Sequence, residues 1–200
     1  DRVNLVIWGP MVEYFRIGNR ICEERRIDSK VPLRKTISGD IYVSTDFMIL
    51  TQERHNVDVS LRTALKSASG NDYSNARYYD NAGYFFDAAI GRKFVLNPGR
   101  SNLSISASGG FLCWQTDNGR QNDAFMYGLR LSYRYTGLSL STEYGGYSGW
   151  EKDGDSPMTL KTNLSSRYGN LIFSIGHQVG LADWPFHQLR VGLSYILHKK

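Results

Sequence analysis

The chain has no apolar run approaching the roughly 18 to 20 residues that a membrane-spanning helix requires. That excludes a spanning helix but not a membrane barrel, whose strands alternate apolar and polar residues and average to a modest hydropathy. Cysteine is scarce: Cys22 and Cys113 are too few for a disulfide framework and have no zinc-ligand spacing. Proline is scarce too, at five residues, and there are few of the Ala, Leu, Glu and Lys runs that favour helices. No P-loop, dinucleotide fingerprint or HExxH is present, so no metal or cofactor is expected. A basic run is also missing. Lys and Arg total 24 against 19 Asp and Glu, a net charge of +5, yet they are scattered, and the densest cluster, Glu23-Glu24-Arg25-Arg26, is mixed in sign. Nucleic acid, which calls for a basic patch or stripe, is not an expected partner. Residue 1 is Asp with no basic n-region or apolar h-region after it, so a secretory signal is expected to have been cleaved or left out.

What is plentiful is Gly, at 20 residues, and Tyr, at 13, which suits many short strands with tight turns. The length allows one sizeable core, and a single domain over 1–200 is expected. The last stretch, His187 to Leu197, reads HQLRVGLSYIL. Successive strand side chains point to opposite faces, so Leu189, Val191, Leu193, Tyr195 and Leu197 share one face and Gln188, Arg190, Gly192 and Ser194 the other.

The same alternation recurs upstream. Residues 3–18 are apolar around Gly9-Pro10 and read as one strand that is bulged or begins late. Residues 19–39 are charged and irregular, as in a long loop. Strands then follow over 41–49 and 57–65, around 84–90, and over 103–111, 125–135, 138–144, 160–168 and 171–179. The connections at 51–56, 97–101, 136–137 and 169–170 are short, and they alternate with mostly longer ones at 19–39, 67–83, 116–123, 145–157 and 181–186. The fold expected is all-β, a closed antiparallel up-and-down transmembrane β-barrel of about ten strands, with short turns at one end and long loops at the other. A lipocalin-like soluble carrier would alternate equally well. Against it, the polar face is dominated by Ser, Gly, Asn, Gln and singly placed charges, whereas a water-facing surface more often carries many Lys and Glu. Tyr84, Tyr133, Tyr135, Tyr144, Tyr168 and Tyr195 sit near strand ends of the apolar face, where interfacial aromatic girdles lie.

Strand phase places the candidate lumen residues on the polar face. They are Asp46, Arg62, Lys66 and Asp87 in the first half of the chain, and Arg130, Arg134, Glu143, Lys161, Arg167 and Arg190 in the second. Their excess of cations points to a small anionic solute as a partner. Cys22 falls in the first long loop and Cys113 near the loop end of the fifth strand, and strands one and five are not neighbours, so two thiols are expected.

Arg190, Gly192, Tyr195 and Leu197 reproduce the spacing polar-x-Gly-x-x-hydrophobic-x-hydrophobic. This resembles the C-terminal assembly signal of bacterial outer-membrane β-barrels, although the chain runs on through His198, Lys199 and Lys200 where the family ends on an aromatic residue. The stretch Thr63 to Asp87, TALKSASGNDYSNARYYDNAGYFFD, is similar to a segment of uncharacterised Gram-negative outer-membrane proteins. The resemblance implies a bacterial outer-membrane location, contact with outer-membrane lipid and with the barrel-insertion machinery, and a porin-like or structural role. Barrel enzymes are the alternative. Omptin-like proteases use acidic pairs and a His-Asp pair at the rim, for which only His177 and Asp183 are available. Lipid-hydrolysing barrels need a His followed closely by a nucleophilic Ser, an arrangement that none of His55, His177, His187 and His198 has.

Overall fold

The computed structural model describes residues 2–24, 27–28, 30, 32–70, 82–115, 121–150 and 155–197. Strands dominate: β1 (Val3–Trp8), β2 (Glu13–Arg16), β3 (Arg34–Ile37), β4 (Tyr42–Leu50), β5 (Asp58–Lys66), β6 (Gly83–Asn97), β7 (Ser101–Gln115), β8 (Gln121–Tyr135), β9 (Leu138–Gly149), β10 (Met158–Tyr168), β11 (Leu171–Ala182) and β12 (His187–Tyr195). Two short helices, α1 (Asn19–Glu24) and α2 (Gln52–His55), interrupt them. Ten strands form one large antiparallel sheet in the order β1-β4-β5-β6-β7-β8-β9-β10-β11-β12, and β2 pairs with β3 separately. Among the described residues β1 and β12 are the two ends of that order, with no ladder joining them.

The apolar segment 3–18 is two strands rather than one bulged strand. Pro10 has no N–H to offer a ladder, and Gly9 passes so close to Asp40 that an added Cβ would lie 2.6 Å from the Asp40 carbonyl oxygen. Gly39 donates to the Pro10 carbonyl at 2.8 Å, and the chain leaves the large sheet here. It re-forms as β2, whose partner β3 lies with α1 inside the region 19–39 expected to be loop. Charged residues mask β3 in the sequence: Arg34, Lys35 and Thr36 are exposed, and only Ile37 joins the small local core of Phe15 and Ile17, flanked by Ile21, Cys22 and Ile27.

Elsewhere the expected turns fall into place with specific chemistry. The 52–56 turn is the one-turn helix α2, closed by Asn56 at φ 63° donating to the Gln52 carbonyl at 3.0 Å. The other short turns place Gly99, Thr136 and Gly169 at positive φ. β9 runs five residues beyond the expected end at Tyr144, because glycine at 145 and 146 lets neighbouring backbones approach where a Cβ would collide. Of the expected loops, residues 71–81, 116–120 and 151–154 lie outside the described residues, as do 198–200 beyond β12.

The chain forms two compact units. The first comprises Asp1–Phe47, Arg62–Phe86 and Leu112–Asp123. In it Ser44 and Ala64 are buried while Val43, Phe47 and Leu65, on the alternate positions of the same strands, are exposed. The second comprises Met48–Leu61, Asp87–Phe111 and Ala124–Lys200. There Ser141 and Gly176 are buried, and Leu129, Leu131, Leu140, Ile175, Leu189 and Leu193 are exposed. The second unit therefore covers small and polar positions and exposes large apolar ones, the reverse of a sheet packed on a water-excluding core, whereas the first also buries Phe15, Ile17, Ile37, Phe85 and Leu112.

Candidate functional site

In the second unit the ladder registers align polar residues into rows. Arg130 lies opposite Glu143, Glu143 opposite Lys161, Lys161 opposite Gln178, and Gln178 opposite Gln188. One row thus crosses five strands, β8 to β12. The next row toward the short turns runs Ser132, Ser141, Asn163, Gly176 and Arg190, and the one after it Arg134, Ser139, Ser165, Ser174 and Gly192. Residues two apart on a strand share a face, so all three rows belong to one surface.

Glu143 is the centre of the charged row. Its Oε1 lies 3.4 Å from Arg130 Nη1 and its Oε2 accepts from Lys161 Nζ at 3.3 Å. Arg130 also donates from Nε to Ser132 Oγ at 3.3 Å. Arg190 reaches up one row, donating from Nη2 to Gln178 Oε1 at 2.8 Å and to Gln188 Oε1 at 2.7 Å. Arg167 has the same strand phase but turns to the hairpin end, where Nε donates to the Gly169 carbonyl at 2.9 Å. Arg134 is exposed. Against these five cations the face of β8 to β12 sets the single carboxylate Glu143. Such a surface attracts anions and repels cations.

The remaining candidates are placed as follows. In the first unit Lys66 Nζ lies 2.6 Å from Asp40 Oδ2, with the Trp114 ring 5.5 Å away. Asp40 Oδ1 accepts from the Gly70 N–H at 2.7 Å. Arg62 places its guanidinium 5.2 Å from the centroid of the Phe85 ring, a cation–π contact. Asp46 is half-buried on β4, and Asp87, in the second unit, is buried on β6. The structure therefore groups Arg130, Glu143, Lys161 and Arg190 with two glutamines, and it puts Lys66 with Asp40.

Sequence reading missed Asp40, because it sits in a connection with no periodicity to mark it. Gln178 and Gln188 were legible as polar-face residues, and only the register shows that they receive Arg190. His177 and Asp183 do not form a dyad: Asp183 Oδ2 accepts from the Ser156 N–H at 2.7 Å, while His177 shares a hydrogen bond with His187. Cys22 is half-buried and Cys113 buried, both as thiols. Among the described residues no group of three or more His, Cys, Asp and Glu side chains is arranged to hold a metal ion.

Compared with protein-family models and with curated proteins, the chain matches none.

Proposed function

We propose that the ten-stranded sheet is the wall of a small outer-membrane-type β-barrel, closed by β1 and β12, whose polar face lines a narrow porin-like path for small anions. The observation that carries this reading is the inverted exposure of the strands, with Leu131 at 49% and Val191 at 82% exposed while Ser141 is buried. A large contiguous apolar surface facing water would be an aggregation liability; facing acyl chains it is what a barrel wall requires.

Dimensions support it. The exposed apolar positions of β8 run from Phe125 to Tyr135. Ten residue steps of about 3.3 Å, tilted by about 40° as in outer-membrane barrels, span about 25 Å, the height of their apolar band. Tyr135, Tyr168 and Tyr195 are exposed at the short-turn end of their strands, where one interfacial girdle would lie. In this reading the C-terminal strand is what the insertion machinery of the bacterial outer membrane recognises. A ten-stranded lumen is only slightly wider than the eight-stranded kind filled by side chains, which restricts passage to small solutes. The cationic rows of β8 to β12 set the sign.

The test has two stages. The purified protein should stay monodisperse only in detergent, and a monomer stable in buffer alone would make it a soluble carrier instead. In planar bilayers it should give small anion-selective steps. Cation selectivity, or no steps, would overturn the conducting role.

A further inference from the structure

We propose that His177 and His187 form a two-imidazole binding site for a divalent transition-metal ion of the Zn2+, Ni2+ and Cu2+ class. His177 on β11 is paired with Leu189 and His187 on β12 with Val179, which makes the two histidines diagonal neighbours on one face of the hairpin. His177 Nε2 and His187 Nδ1 are 3.2 Å apart, and with centroids 5.4 Å apart and planes 12° from parallel the rings lie edge to edge, nitrogen facing nitrogen. With metal–nitrogen bonds of about 2.0–2.1 Å, that separation subtends an N–metal–N angle of about 100°. The angle lies between the cis angle of a square-planar or octahedral ion and that of a tetrahedral one, and each exposed ring reaches it by swinging about 40° from the hydrogen-bonded position.

The hydrogen bond between the two nitrogens uses one N–H and one lone pair. On metal binding the donating ring moves its proton to its other nitrogen, both lone pairs turn to the ion, and the pair releases no proton. Both side chains are exposed on the apolar face, and His187 opens β12 beside the 183–186 connection, so in the barrel reading the pair sits toward the loop-end boundary, from which water would complete the coordination.

The connection that sets this register is tightly specified. Gly180 donates to the Phe186 carbonyl at 2.9 Å, Asp183 sits at φ 57°, and a Cβ on Gly180 would collide with the Trp184 carbonyl oxygen. Because the backbone already holds both rings within reach of one ion, only side-chain freedom is lost when it arrives. Two ligands ten residues apart have no recognisable metal-site spacing in the sequence; the cross-strand register brings them together.

The experiment uses protein without a polyhistidine tag, in detergent and in a buffer that does not coordinate metals. Titration with ZnCl2 by calorimetry should show one ion bound per chain. His177→Gln and His187→Gln should each weaken binding at least tenfold, whereas His55→Gln, which lies on α2, should bind as the unaltered protein does. Bound Zn2+ should also protect His177 and His187 of the unaltered protein from diethyl pyrocarbonate, read by peptide mass, a measurement that needs no variant to fold. Unchanged affinity in the His177→Gln/His187→Gln double variant, equal loss in His55→Gln, or absence of both binding and protection at millimolar Zn2+ overturns the proposal.

Discussion

Lys66 and Asp40 are joined by a 2.6 Å ion pair in which the aspartate is fully buried and the lysine nearly so. The pair ties the end of β5 to the residues preceding β4, and Asp40 extends the tie to Gly70. Lys66→Met should cost about 3–5 kcal/mol, because it leaves a buried carboxylate without its counter-charge. Lys66→Met combined with Asp40→Asn should recover much of that loss. Denaturant titration of the three proteins checks it; a double variant as unstable as the single one would show that packing, rather than charge, is what Lys66 supplies.

Leu131 and Ser132 are adjacent on β8 and face opposite ways. Leu131→Arg should impair insertion by about 2–4 kcal/mol, the cost of a charge at the midplane of a barrel wall, and Ser132→Arg on the polar face should be tolerated better. Folding yields into liposomes report both. Equal effects would show that neither face meets lipid.

Glu143 separates Arg130 from Lys161. Its ion pairs are partly exposed, so Glu143→Gln should change stability by less than about 1 kcal/mol. It should raise the preference for anions, since it removes the only carboxylate of the charged row. Arg190→Gln and Lys161→Gln should lower that preference. Reversal potentials across a salt gradient measure all three, and a selectivity indifferent to these charges would place the conducting path elsewhere.

Gly145 lies where an added Cβ would meet the Tyr127 carbonyl oxygen at 2.7 Å. Gly145→Ala should therefore push β8 and β9 apart locally and destabilise by about 1–3 kcal/mol, the usual range for overpacking. Gly99→Ala, whose Cβ would meet nothing within 4 Å, should instead show the smaller cost of an L-residue at φ 73°. Thermal melts of the two variants separate crowding from backbone strain.

The alternation in β8, β9, β10 and β12 was enough to say which residues share a face, because a strand's side-chain period of two is a local property. Arg130, Glu143, Lys161 and Arg190 were assigned to the polar face on that ground. Short turns such as Thr136-Gly137 and Gly169-Asn170 also announced hairpins, since so few residues can only reverse the chain. The departure of the chain at Gly9-Pro10 was half legible: the missing N–H of Pro10 marked a break, but nothing local said that β2 would find β3.

Only the tertiary structure decided who stands opposite whom. Glu143 bridges two cations because the registers bring them level, and Arg190 reaches Gln178 and His177 meets His187 because the registers set them one step apart on neighbouring strands. Lys66 meets Asp40 because β5 runs back along β4 and ends beside the residues that precede it. Such pairings depend on where distant segments come to rest after folding, and a periodicity read along one strand carries no information about its neighbour's offset.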